Sequence, residues 1–167
     1  PPYPAVKGLW NKPTVVINVE TVSNLPFILN EGAEAFASIG AADYPGTKLL
    51  TLSGDVNRRG CFEVPTDYIL RDVVYKLGEG VRDNRKLKAV LVGGSAGAFL
   101  PAEKLDIAID FETMTSAGAV LGSGAVLVLD DTRDMVDLTL RIVQFFEHES
   151  SGKCTPCREG TFRCREI

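Results

Sequence analysis

The chain has 167 residues, 45% hydrophobic and 24% charged, with a formal net charge of −4. That length buries a sizeable core as one domain or two small ones, and the acidic balance removes any general attraction to nucleic acid or anionic lipid. No apolar run approaches the roughly 20 residues of a membrane-spanning helix, so neither nucleic-acid binding nor membrane insertion is expected.

The chain opens PPYPAVKG, without Met and without the charged-then-apolar order of a signal peptide, so it reads as the interior of a longer chain. Residues 1–20 are Pro-rich, with one strand candidate at Thr14–Ile17; Tyr3 and Trp10 read as packing residues. Val22, Leu25, Ile28, Leu29, Ala33 and Phe36 follow helical spacing, Pro26 suits a first turn, and Gly40 ends the helix. AADYPG, residues 41–46, reads as a linker.

Strand candidates follow at 48–56 and 60–65, joined by Asn57-Arg58-Arg59. Cys61, inside the second, reads as a small buried hydrophobe. Ile69, Leu70, Val73, Val74 and Leu77 share a helical face that stops at Gly78 or Gly80. Arg82, Arg85, Lys86 and Lys88 read as a solvated basic loop. LKAVLVGG is an apolar strand, and GGSAGAFLP, residues 93–101, reads as a turn because it lacks the spacing of a phosphate loop. LDIAIDF alternates as a short strand. Strand, strand, helix, strand, strand is the order of a β-grasp (ubiquitin-like) domain. AVLVLDD then reads as a buried strand, and Thr132 or Asp131 as the cap of a helix whose apolar face is Met135, Leu138, Ile142, Phe145 and Phe146.

That helix leads into SSGKCTPCREG, which holds two of the four cysteines, Cys154 and Cys157; Cys164 follows, and Cys61 lies far upstream. Clustering near one end favours a reducing compartment and a local cysteine site over a disulfide scaffold. Two thiolates three apart can chelate a soft metal, with glycine N–H groups and Lys153 or Arg158 offsetting the negative charge. Cys164, seven residues past Cys157, lies roughly 10 Å farther along a continuous helix, too far to share a small cluster unless the helix bends. A zinc set completed by His148, a thioredoxin-like dithiol and incidental surface thiols stay open on chemistry alone.

HESSGKCTPCREG resembles the E-S-C-G-x-C-x-P-C-R-x-G signature of the NADH-binding flavoprotein subunit of respiratory complex I and of NAD-linked hydrogenases and formate dehydrogenases. GLWNKPTVVINVET, GTKLLTLSGDVNRRGCFEVP and LGSGAVLVLDD resemble three further segments of that family in the same order. The resemblance implies an α+β chain in three parts. Residues 1–45 would be the tail of an FMN- and NADH-binding domain, 46–112 a soluble-ligand-binding β-grasp (SLBB) domain, and 113–167 the start of a helical domain binding a 4Fe–4S cluster.

By the same resemblance, the intact protein takes hydride from NADH onto FMN and passes single electrons to the cluster. Asn18 and Thr21 match candidate FMN contacts, beside a local reading as helix caps; Ile17 stands where the family has an Asn. Cys154 and Cys157 match cluster ligands, Ser151 stands at the position of a missing cysteine ligand, and Glu149 and Ser150 match supporting positions. No catalytic residue is assigned, and the chain alone is expected to be inactive, without an intact cofactor. The implied partners are a small 2Fe–2S subunit and a large iron–sulfur subunit, and the implied location is the cytoplasm or the cytoplasmic face of the inner membrane. Two competing readings are a β-grasp module that only docks subunits and a flavoprotein subunit of a soluble NAD-dependent hydrogenase or formate dehydrogenase.

Overall fold

A computed structural model describes residues 2–167. The region expected as one helix is three short ones, α1 (Val19–Ser23), α2 (Leu25–Glu31) and α3 (Ala33–Ala37). Asn24 and then Gly32, at φ 94°, break the periodicity that the apolar spacing alone suggested. A minimal ladder, β1 (Gly40–Ala41) on β2 (Tyr44–Pro45), replaces the expected linker.

The core unit is a five-stranded mixed sheet. Its strands are β3 (Thr47–Gly54), β4 (Gly60–Pro65), β5 (Leu87–Val92), β6 (Ala98–Pro101) and β7 (Ala125–Asp130), in the order β4-β3-β7-β5-β6. β3 pairs antiparallel with β4 and parallel with β7; β7 pairs antiparallel with β5, and β5 with β6. Against this sheet lies α4 (Leu70–Asp72), continued by a π-helical turn over Val73–Leu77. Leu50, Leu52, Val90 and Val128 from the strands and Leu70, Val73 and Val74 from the helix share one core with Leu105, Ile109 and Met114. The mixed α/β architecture expected from the element order is therefore present.

Two expectations are corrected. Residues 105–110 form no strand: their carbonyls accept the amides that begin α4, from Leu70 to Ile107 and from Arg71 to Leu105, both at 2.9 Å. Their alternation buries Leu105 and Ile109 all the same. The outer strand is instead Ala98–Phe99–Leu100–Pro101, within the segment expected to be all turn. The turn itself spans Gly93–Gly97, where a Cβ on Gly97 would stand 1.8 Å from the Val92 carbonyl oxygen, so only glycine fits. β7, the buried strand expected from AVLVLDD, is the central strand of the sheet, which runs to Asp130. Val126, Val128 and Leu129 of this strand are buried, while Ala125 and Leu127 are half-buried.

Beyond the sheet come α5 (Phe111–Ser116), which precedes β7 in the chain, and then α6 (Met135–Glu149) and α7 (Thr161–Glu166), the last preceded by a π turn over Pro156–Gly160. Asp134, not Thr132 or Asp131, caps α6, accepting from the Val136 and Asp137 amides at 2.7 and 3.2 Å. Asp130 instead holds Thr132 through both its amide and its hydroxyl. α6 and α7 pack on each other, tied by Arg165 to Glu147 at 2.9 Å. No helix is long and apolar enough to cross a membrane among the described residues.

Candidate functional site

The cysteine loop lies in the bend between α6 and α7. Ser150 ends α6 in extended geometry, and its hydroxyl accepts from the Gly152 amide at 3.3 Å while donating to the Cys157 carbonyl at 3.0 Å. One side chain thus ties both ends of the loop. Gly152, at φ 63°, makes the reversal, a conformation that suits glycine. Arg158 donates back to the Gly152 carbonyl at 3.1 Å, which fixes the guanidinium over the loop. Thr161 donates to the Cys157 carbonyl at 2.6 Å, so that carbonyl receives two hydroxyls where the π turn joins α7.

Cys154 is exposed and Cys157 half-buried. The Cys157 thiol, which would donate to a Cys154 thiolate, draws the Cys154 pKa down, and the same interaction pushes that of Cys157 up. Ser151 is exposed and its hydroxyl accepts from the Lys153 amide at 3.4 Å. A groove of about 720 Å³, with Val143, Phe146 and Pro156 in its walls, brings Ser151, Cys157 and Cys164 to one surface. The bend places Cys164 along that groove, yet no three His, Cys, Asp or Glu side chains converge as a metal set among the described residues. His148 is turned to Glu149, Nδ1 3.0 Å from Oε1, and completes no zinc site with the cysteines. Two thiols and a serine hydroxyl do not fit a four-cysteine cluster.

Asn18 and Thr21 lie at α1, far along the sequence from the cysteine loop. Asn18 is the N-cap, its Oδ1 accepting from the Glu20 amide at 2.9 Å, so its local reading as a cap holds. It lines a second groove, about 730 Å³, with Ser23, Lys48, Thr51, Cys61 and Ser123; Thr21 is exposed outside it. Cys61 is exposed, not buried, because β4 is an edge strand and Cys61 points away from the core face. Tyr3 and Trp10, expected to pack, are exposed too, at 83% and 82%.

Sequence reasoning missed the sheet's ionic fastenings. Glu20 pairs with Lys48 and accepts the Leu49 amide; Asp55 is gripped by Arg133. Neither pair has a local spacing signal, since the partners meet only through tertiary packing.

Residues 137–167 match the NADH-ubiquinone oxidoreductase-F iron-sulfur binding region. The chain is 47% identical over 160 residues to the F 2 subunit of NADH-quinone oxidoreductase from Rhizobium meliloti, covering 96% of this chain and 38% of that protein. It is 42% identical over 167 residues to the HndC subunit of the NADP-reducing hydrogenase of Solidesulfovibrio fructosivorans, covering all of this chain and 34% of that one. In structure it is similar to a chain of an NAD+-reducing NiFe-hydrogenase in the air-oxidised state, with TM-score 0.82 and 39% identity, over 99% of this chain and 28% of that chain. The chain thus spans little more than a third of the curated relatives it matches.

Proposed function

We propose that this chain, similar over nearly its whole length to the F subunits of NADH-quinone oxidoreductases, is part of the NADH-oxidising electron-input subunit of an NADH:quinone oxidoreductase-type complex. The observation that carries the reading is the cysteine loop. Cys154 and Cys157 stand three positions apart in a hydroxyl-pinned bend between two helices, within the segment that matches an iron–sulfur binding region. In the parent, NADH, FMN and a 4Fe–4S cluster would supply the redox chemistry. Here Cys154 and Cys157 are the cluster-facing thiols, with Ser151 where a further ligand belongs. Because the donors present do not fit a complete cluster, no electron-transfer step is assigned to this chain alone.

The sheet order β4-β3-β7-β5-β6, with a parallel central pair, supports reading the unit as a β-grasp domain of the SLBB kind. On that reading its last strand is β7, and the three parts are a flavin-domain tail to about residue 45, the β-grasp domain through the central strand, and the cluster arm from α6 onward. Asn18 is the better placed of the two FMN candidates, since it lines the groove beside β3 while Thr21 stands outside it. The partners proposed are a small 2Fe–2S subunit and a large iron–sulfur subunit of a multisubunit assembly. The location proposed is the cytoplasm or the cytoplasmic face of the inner membrane. The hydrogenase relatives support a soluble NAD-linked hydrogenase as the second reading of the parent.

Iron and acid-labile sulfide analysis of the anaerobically reconstituted chain, with FMN titration followed by flavin fluorescence, tests this. Iron held through Cys154 and Cys157 and lost in a Cys154→Ala, Cys157→Ala double variant is expected. Iron uptake unaffected by removing both cysteines sinks the reading.

A further inference from the structure

The helix α1, with its N-cap, carries both candidate flavin contacts and has only five residues, none of them buried. A helix that short does not hold itself in place. Among the described residues, its side-chain hydrogen bonds to the sheet all come from one residue, Glu20. The Glu20 carboxylate pairs with Lys48 Nζ through Oε2 and accepts the Leu49 amide through Oε1 at 3.2 Å. The two side chains are only 32% and 16% exposed, so the pair is partly screened from water.

The Leu49 amide has a particular reason to need this partner. Backbone N–H groups along a strand point to alternate sides. The Thr51 amide donates toward β7, to the Gly124 carbonyl at 2.9 Å. The Leu49 amide, two residues earlier, points to the same side. There β7 has not begun: its pairing with β3 starts at Thr51 with Ala125. Leu49 therefore sits on an open stretch of strand edge, where an amide has no ladder partner. Glu20 fills that place. Burial pushes the Glu20 carboxyl pKa up, but the Lys48 and Leu49 hydrogen bonds outweigh it, and the net shift is downward; the carboxylate is held ionised.

We propose that Glu20 is a positioning residue, its carboxylate standing in for the backbone carbonyl that β7 starts too late to supply. It fixes the Asn18–Thr21 turn against the edge of β3 and across the mouth of the 730 Å³ groove. The cofactor segment and the sheet are thereby aligned through one carboxylate side chain. This inference takes its purpose from the flavin reading of Asn18, while its geometry is independent of that reading.

Amide hydrogen exchange by NMR on the full chain tests it, comparing the wild type with Glu20→Ala and Glu20→Gln, and FMN titration runs alongside. In Glu20→Ala the Leu49 amide should exchange at least about tenfold faster, while Leu50 and Thr51, held by β4 and by Gly124, change by less than about twofold. Glu20→Gln should restore most of the Leu49 protection, because an amide oxygen still accepts. An unchanged Leu49 in Glu20→Ala overturns the proposal, and so does equal acceleration of Leu49, Leu50 and Thr51, which reports general loosening. If Leu49 responds as expected but no chain binds FMN, the clamp stands and the flavin reading falls. If FMN binds and Leu49 does not respond, the reverse holds.

Discussion

Arg133 closes on Asp55 from 78 positions away in sequence, its Nε 2.6 Å from Oδ2 and its Nη2 against Oδ1. The carboxylate is buried, at 1% exposure, and also accepts the Asp130 amide at 3.2 Å. Asp55 directly follows β3, and Arg133 lies in the loop between β7 and α6. The pair therefore fastens the sheet to the start of the arm that carries the cysteine loop. Arg82 stands farther off, 3.8 Å from the same carboxylate.

Removing the buried carboxylate should be costly. Asp55→Ala deletes charge-assisted bonds and strands the Asp130 amide, a loss of about 2–3 kcal/mol. Thermal unfolding should show a Tm lower by about 5–10 °C. Arg133→Ala should also destabilise, because it leaves a buried charge without its main partner. A Tm unchanged in both variants would show that the pair contributes nothing net.

The same carboxylate should shape the acid limb of the stability curve. The Arg133 hydrogen bonds, against the opposing effect of burial, hold Asp55 below its ordinary pKa in the folded chain. A lowered folded pKa means a stabilising contribution fully present above about pH 4, the unfolded value, and lost as pH falls through the folded one. Chemical denaturation between pH 7 and 3 should show a steeper fall for the wild type than for Asp55→Asn. Parallel curves would place the acid sensitivity elsewhere.

Two glycines separate a steric requirement from a conformational one. Gly97→Ala would place Cβ 1.8 Å from the Val92 carbonyl oxygen, so the β5–β6 turn must open, at a cost of at least about 2 kcal/mol. Gly160→Ala meets nothing within 4 Å and sits at helical φ in the turn before α7, so it should be neutral or stabilise by up to about 1 kcal/mol. Urea titrations of the two variants check both signs.

Ser151→Cys should raise the iron and sulfide retained after anaerobic reconstitution. It adds a soft thiolate to a loop already pinned by Ser150 and Arg158. Ser151→Ala should leave retention at the wild-type level. Equal iron in Ser151→Cys and wild type would remove position 151 from the ligand set.

Whatever depends on local spacing and residue chemistry was legible in the chain alone. The Cys154–Cys157 pair, the apolar face of α6, the helical face from Ile69 to Leu77 and the hairpin of β3 and β4 were all readable, because each rests on neighbours within a few positions. The motif order also pointed to the relatives. Which apolar runs became strands was settled in three dimensions: 105–110 gave up its carbonyls to the amides of α4, and AVLVLD went to the centre of the sheet. Strand order is set by which pairings bury the most apolar surface together, a choice no single segment encodes. Tertiary packing likewise turned Cys61 outward on an edge strand, brought Cys164 into a groove with Cys157 across a π turn, and gave Glu20 and Asp55 their partners. Arg133 reaches Asp55 only when β3 lies beside β7, and Glu20 reaches Lys48 only when α1 packs on β3, since an ion pair between distant residues exists only once packing has brought them within a few ångströms.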